Sequence, residues 1–212
     1  MIKIDDSKLK ATPELEDFAG KYEDSNVISK YLVNNYFKAV KKLIFKTTNV
    51  KFAHEIGAGE GRSTMRISEM VPQLSASEYV PNLISIAIRN NPDLTIFQES
   101  VYSLQYNNDK VDLVFLLEVL EHLDYPEIAL EELKRISSRY LILGVPREPL
   151  WRVLNMCRLK YIKDLGNTPG HLNHWSKSSL IKLIEAKYGK VIAIETPIPW
   201  TIVLAEKKVG LI

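Results

Sequence analysis

Three glycines alternate through the segment HEIGAGEGRST, with Gly57, Gly59 and Gly61 separated by Ala58 and Glu60. Glycine permits positive backbone φ and lets the main chain approach a ligand closely. An apolar run over 50–56 precedes the loop and a helical pattern follows it, so the loop is a strand-to-helix turn. The dinucleotide spacing G-x-G-x-x-G is not met, because Arg62 stands where its third glycine belongs. Glu55 lies two residues before the first glycine, where a carboxylate disfavours phosphate and favours a cationic group. Glu78, followed by Tyr79, ends the second apolar run 17 residues after Gly61, where an acid can accept both hydroxyls of a ribose. The glycines alone fit a plain tight connection, and Glu78 alone fits a solvated strand-end acid. In combination they describe a ligand with a ribose, a positive charge and no phosphates.

A second group with chemical capacity is EVLEHLDYP. If it turns helical, Glu118, Glu121 and His122 stand at i, i+3 and i+4 and share one face. Carboxylates and an imidazole so placed can move protons.

These residues need elements to hold them. Strands are predicted over 50–56, 74–80, 94–98, 111–117, 139–145, 191–195 and 201–206. Helices are predicted over 62–70, 81–90, 125–137 and 175–188, the last with Ser176 as N-cap. The run VDLVFLL over 111–117 is nearly uninterrupted, as a central parallel strand covered on both faces requires. Strand then helix, repeated, implies right-handed βαβ units, an α/β fold with a doubly wound, mostly parallel sheet. The final two strands have no room for a helix between them and must be antiparallel. Before position 50 the pattern is helical: Pro13 precedes Glu14, Glu16 and Asp17 at one helix start, and a second helix covers 26–45 with lysines in its last turns. Residues 1–49 read as an N-terminal helical extension and 50–212 as the main domain, with a lid-like insertion at about 146–175.

Composition narrows the setting. The 212 residues are 46% hydrophobic and 25% charged, ordinary globular usage with enough apolar material for a core. The 28 Lys and Arg against 26 Asp and Glu give a net charge of +2, too balanced for a protein devoted to nucleic acid or anionic lipid. The single cysteine cannot form an internal disulfide, no run suits a membrane helix, and MIKIDDSKLK is too charged for a signal peptide. The expected location is cytoplasmic; oligomeric state is left open.

The loop and its neighbours resemble the class I S-adenosylmethionine-dependent methyltransferases. EIGAGEG reproduces that family's acid-x-G-x-G-x-G motif, and Glu78 stands where the family places an acid at the end of strand two. Ser100 and Val101 in ESVYSL fall where an acid or serine and a small apolar residue read adenine, and VDLVFLLEVLEHL resembles the fourth motif, with Leu117 and Glu118 beside the cofactor. Ser100 replaces the more usual Asp, so adenine recognition is expected to lean on backbone and on Glu99. The resemblance covers roughly residues 50–207 and implies a seven-stranded sheet with its last strand antiparallel, S-adenosyl-L-methionine as cofactor, S-adenosyl-L-homocysteine as product, and Glu55 near the methionyl end.

E-x-x-E-H segments similar to this one occur in ubiquinone-biosynthesis O-methyltransferases and small-RNA 2′-O-methyltransferases, where they can hold a divalent metal. A further histidine would come from His171 or His174. The same pair also appears in metal-free members, and the reading adopted expects no metal, with His122 packing or facing substrate. The catalytic residue stays open among Glu118, Glu121, His122, His171 and His174.

The long connection over 146–176 holds aromatic residues among Arg147, Arg152, Arg158, Lys160 and Lys163. It reads either as a substrate lid with a basic, aromatic lining or as an amphipathic helix over 150–162 that buries Leu154, Met156 and Leu159. PIPW, ending at Trp200, is expected at the far edge of the acceptor pocket. The leading function is methyl transfer to a small metabolite, glycan or lipid precursor. The alternatives are a metal-assisted RNA 2′-O-methyltransferase and a non-catalytic cofactor-binding protein.

Overall fold

VDLVFLL forms β4 (Val111–Leu117), and its alternation divides the core in two. Val114 and Leu116 enter one apolar cluster, while Leu113, Phe115 and Leu117 enter the other. On one side of β4 lie β1 (Ala53–Ile56), β2 (Leu74–Glu78) and β3 (Thr95–Gln98). On the other lie β5 (Ser137–Pro146), β6 (Gly189–Glu195) and β7 (Trp200–Lys207). The seven strands run in the order β3-β2-β1-β4-β5-β7-β6. Strands β1 to β5 pair in parallel, and β7 lies antiparallel between β5 and β6. The computed structural model describes residues 4, 9–11 and 27–208, so the expected helix start at Pro13 lies outside the described residues.

Helices cover both faces. Leu130 and Leu133 of α4 (Pro126–Ile136) and Leu180 and Ile184 of α6 (Lys177–Lys187) fill one cluster. Val40 and Leu43 of α1 (Val27–Ile44) and Ile67 of α2 (Arg62–Ser68) fill the other. Prolines open α3 (Pro81–Asn90) and α4, where their missing N–H has no helical acceptor to lose. The expected N-cap of α6 is in place, with Ser176 Oγ accepting the Ser179 amide at 3.1 Å. α1 is more than an appendage: Tyr36 and Phe37 are buried, and a Cβ at Gly144 of β5 would collide with the Tyr36 hydroxyl.

Where elements stop short of their expected bounds, side chains have taken the backbone's partners. β1 begins at Ala53 and not at 50 because Asp112 Oδ2 accepts the amides of Lys51 and Phe52 at 2.9 and 3.1 Å. β2 ends at Glu78 because its own Oε1 accepts the amides of Tyr79 and Val80, both at 2.8 Å. The helix expected over 150–162 is α5 (Leu150–Cys157), broken where Leu159 and Tyr161 take φ values of 56° and 54°.

The parallel register sets Ile56 beside both Ser77 and Leu116, so the glycine loop, Glu78 and the chain leaving β4 emerge together at one edge of the sheet. Behind that edge Thr64 of α2 donates its hydroxyl to Glu55 Oε2 at 2.6 Å, tying the helix to β1. Burial pushes the Glu55 carboxyl up to about 7, against the pull of the Ser63 and Thr64 hydroxyls. A carboxyl raised on folding binds more protons folded than unfolded, so its contribution falls as pH rises from about 4.5 to about 7. Thermal unfolding across that window is expected to show stability declining by up to about 3 kcal/mol in the native chain and a flatter profile in Glu55→Gln. Parallel profiles for the two proteins would remove the assignment.

Candidate active site

A cavity of about 350 Å³ opens at the carboxyl ends of β1, β2 and β4. Gly57, Ala58 and Gly59 line it, together with Glu78 and Tyr79, Ser100 and Val101, and Leu117 and Glu118. Nine of the eleven residues expected to hold the cofactor thus share one wall. The other two, Glu55 and Gly61, stand one layer back. Glu55 is 1% exposed, accepts the Thr64 hydroxyl and is not among the residues lining the cavity. Gly61 starts α2 at φ 79°, and a Cβ there would strike the Asn91 amide, which donates to the Gly61 carbonyl at 2.9 Å.

Gly59 differs from its neighbours. A Cβ at Gly57 would collide with Val119, whereas a Cβ at Gly59 would meet nothing within 4 Å. Protein packing therefore does not explain the glycine at 59. Its φ of 56° and the open space beside it do, since a side chain would enter the cavity. This cradle fits a bound nucleoside. The Gly59 amide donates to Glu78 Oε2 at 2.7 Å, so three main-chain amides occupy the Glu78 carboxylate. A carboxylate offers about four acceptor sites, so a two-hydroxyl grip on ribose requires release of an amide. Burial raises the Glu78 pKa, and the amides of Val80, Gly59 and Tyr79 oppose it.

The segment after β4 does not form the expected helix face. Glu118 leaves the strand at φ 59° and Leu120–His122 make a single 3-10 turn, because the chain must bend sharply over the sheet edge. Glu118 and His122 line the cavity, and Glu121 is buried beside them. Trp200, the last residue of PIPW, is 8% exposed and donates Nε1–H to Glu118 Oε2 at 2.8 Å. It holds Glu118 and is not itself among the residues lining this cavity. Tyr36 and Phe37 of α1 also line the cavity; helical periodicity marks them as buried, and nothing in the sequence marks them as facing a ligand.

His122 Nδ1 donates to the Gly170 carbonyl at 3.2 Å, which makes Nε2 the acceptor nitrogen of the neutral ring. The His171 ring stands edge-on to it, centroids 4.9 Å apart, and ligand atoms of Glu121, His122 and His171 lie within 4.8 Å of one another. His174 is elsewhere: exposed, with Nε2 at 3.0 Å from Arg152 and 2.6 Å from Asn167. Burial and the Arg152 charge lower its pKa. The expected lid is anchored inward through Trp151, which stacks near His171 and donates to Thr168 at 2.9 Å. None of its cations is among the residues lining the cavity, and of the alternative core Met156 and Leu159 are exposed while Leu154 is half-buried.

Residues 54–139 match the family model described as a methyltransferase domain. No curated protein sequence matches the chain significantly. Among solved structures, a chain of the complex between the Haloferax volcanii Trm112 methyltransferase activator and a methyltransferase is 13% identical at TM-score 0.66, covering 85% of this chain and 93% of that one. Magnesium protoporphyrin IX methyltransferase (ChlM) from Synechocystis PCC 6803, with S-adenosylhomocysteine bound, is 15% identical at TM-score 0.63, covering 86% and 88%. A SAM-dependent methyltransferase from Aquifex aeolicus is 17% identical at TM-score 0.63, covering 81% and 89%. The chain thus shares the fold of S-adenosylmethionine-dependent methyltransferases such as these, and residues 54–139, which hold the glycine loop and Glu78, match the methyltransferase-domain model.

Proposed function

We propose that the chain moves the methyl group of S-adenosyl-L-methionine to a small-molecule, glycan or lipid-precursor acceptor, with S-adenosyl-L-homocysteine as product. The open cradle at Gly59 is the observation that carries this reading. Residues 50–212 form the catalytic domain, and the extension before them supplies the aromatic wall. When bound, the cofactor supplies an electrophilic methyl on a sulfonium, so the protein's tasks are alignment of the nucleophile and exclusion of water. Gly57, Ala58 and Gly59 give the cofactor a main-chain floor, Glu78 and Tyr79 take the ribose side, and Ser100 and Val101 take the adenine side. Leu117 and Glu118 flank the reacting end. His122 Nε2 accepts the proton that a hydroxyl or amine acceptor releases, with Nδ1–H held by Gly170.

The grouping of Glu121, His122 and His171 favours a second reading, in which a divalent cation held by these residues acidifies an acceptor hydroxyl. The near balance of 28 basic and 26 acidic residues speaks against an extended RNA groove as that acceptor's home. A catalytically idle cofactor binder is the third possibility, and an assay of turnover separates it.

Calorimetry is expected to show S-adenosyl-L-methionine binding by the native chain and none by Gly59→Leu. That side chain enters open space, but the φ of 56° there strains a leucine, so thermal unfolding of the variant is measured alongside to verify its fold. Gly61→Leu is expected to lose stability instead. Retained nucleoside binding in Gly59→Leu would sink the assignment. An acceptor screen for released S-adenosyl-L-homocysteine, run with EDTA and with added divalent metal, divides the two chemistries. Metal-stimulated turnover lost in Glu121→Gln supports the cation, and EDTA-insensitive turnover lost in His122→Ala supports the imidazole alone. Trp200→Phe is expected to lower kcat about tenfold by releasing Glu118, with cofactor affinity changed little.

A further inference from the structure

The outer face of the connection after β5 lines neither the cavity at the glycine loop nor either apolar core, although Lys163 and Leu165 border a shallow surface concavity with Arg152. Val153, Met156, Leu159, Tyr161, Ile162 and Leu165 are all exposed, Leu159 to 78% and Leu165 to 69%. Every residue from 156 to 165 is exposed. Arg158, Lys160 and Lys163 are interleaved with the apolar residues and outnumber the tip's one acid, Asp164, and among the described residues none of the three has a salt bridge to a carboxylate. Single exposed apolar residues are ordinary, but a contiguous run on a projecting tip marks a contact surface.

The tip is held in this shape. Leu159, Tyr161 and Leu165 have φ values of 56°, 54° and 51°, a conformation that bulky residues rarely adopt. Hydrogen bonds fix it: Lys160 N to Asn155 O at 2.9 Å, Gly166 N to Tyr161 O at 2.8 Å, and Asn155 Nδ2 to Gly166 O at 2.9 Å. The segment's inner side is pinned by Trp151 and Thr168 next to His171. The surroundings thus impose a strained backbone that turns aliphatic side chains outward.

We propose that the tip at 156–165 docks on an anionic phospholipid surface, with the aliphatic side chains entering the acyl boundary and Arg158, Lys160 and Lys163 meeting headgroup phosphates. Protein interfaces deplete lysine from their cores, and nucleic acid offers nothing for Leu159, Ile162 and Leu165, so alternating cations and aliphatics favour lipid. This is surface attachment: no helix among the described residues is long and apolar enough to cross a membrane. It stands independently of methyl transfer. If both hold, the cavity faces an acceptor carried in or on the bilayer.

The test is flotation of the full chain with phosphatidylcholine vesicles, with and without phosphatidylglycerol. Binding is expected only with phosphatidylglycerol and is expected to weaken as salt rises. Lys160→Ala is expected to lose about fivefold in vesicle affinity and Leu159→Asp more than about tenfold. Asp tolerates positive φ, so Leu159→Asp should fold, and unchanged calorimetric binding of S-adenosyl-L-methionine verifies it. Loss of nucleoside binding in the native chain would count against the cofactor reading and leave the lipid result standing. No vesicle binding by the native chain, or equal binding by Leu159→Asp, overturns the proposal. So does self-association that Leu159→Asp abolishes without vesicle binding, which would give the face to a second copy.

Discussion

One buried carboxylate organises the cofactor end of this molecule. Glu78 accepts amides from Gly59, Tyr79 and Val80, so it ends β2, leads into α3 and fixes the glycine loop at once. Each amide would otherwise lie in a poorly solvated corner without an acceptor, at about 1–3 kcal/mol apiece. The bond to Gly59 holds the loop to the end of β2, and under the proposed function a ribose would compete for the same carboxylate, which would couple loop shape to ligand binding through a single side chain.

The opposite end of the cavity is built from parts far apart in the chain. Glu118 comes from β4, its indole donor from β7, and the aromatic wall from α1. Trp200 touches both Tyr36, at 5.0 Å between ring centroids, and Trp151, at 6.0 Å. The antiparallel β7 makes this possible, since it begins at the end of the sheet where the parallel strands finish. A parallel last strand would begin at the opposite end.

Periodicity made the sheet legible in the sequence. VDLVFLL named its own strand, Pro81 and Pro126 their own helix starts, and Ser176 its own cap. The glycine loop was legible because φ and close approach leave few other residues possible. Depth was not: Glu55 and Gly57 are two apart in the chain, yet one carboxylate faces a helix and the other residue a cavity. Nor does sequence choose between His171 and His174, three residues apart in an irregular loop. The choice is made by main-chain bonds from Leu172 and Asn173 to the Glu121 carbonyl, each 2.9 Å, which set His171 against the 3-10 turn.

The connection after β5 also shows what composition alone does not separate. Cations and aromatics in one stretch fit either a lid lining or a helix with solvated cations, and the stretch has two sides. Trp151, Asn155 and His171 turn inward and are held by Thr168, Gly166 and the His122 ring. Arg158, Lys160 and Lys163 turn outward with the aliphatics. Both sides hang on the same short hydrogen-bonded turn, so a contact outside bears on a backbone that continues to His171 and its ring contact with His122. That joint is what a loose surface loop of the same composition would lack.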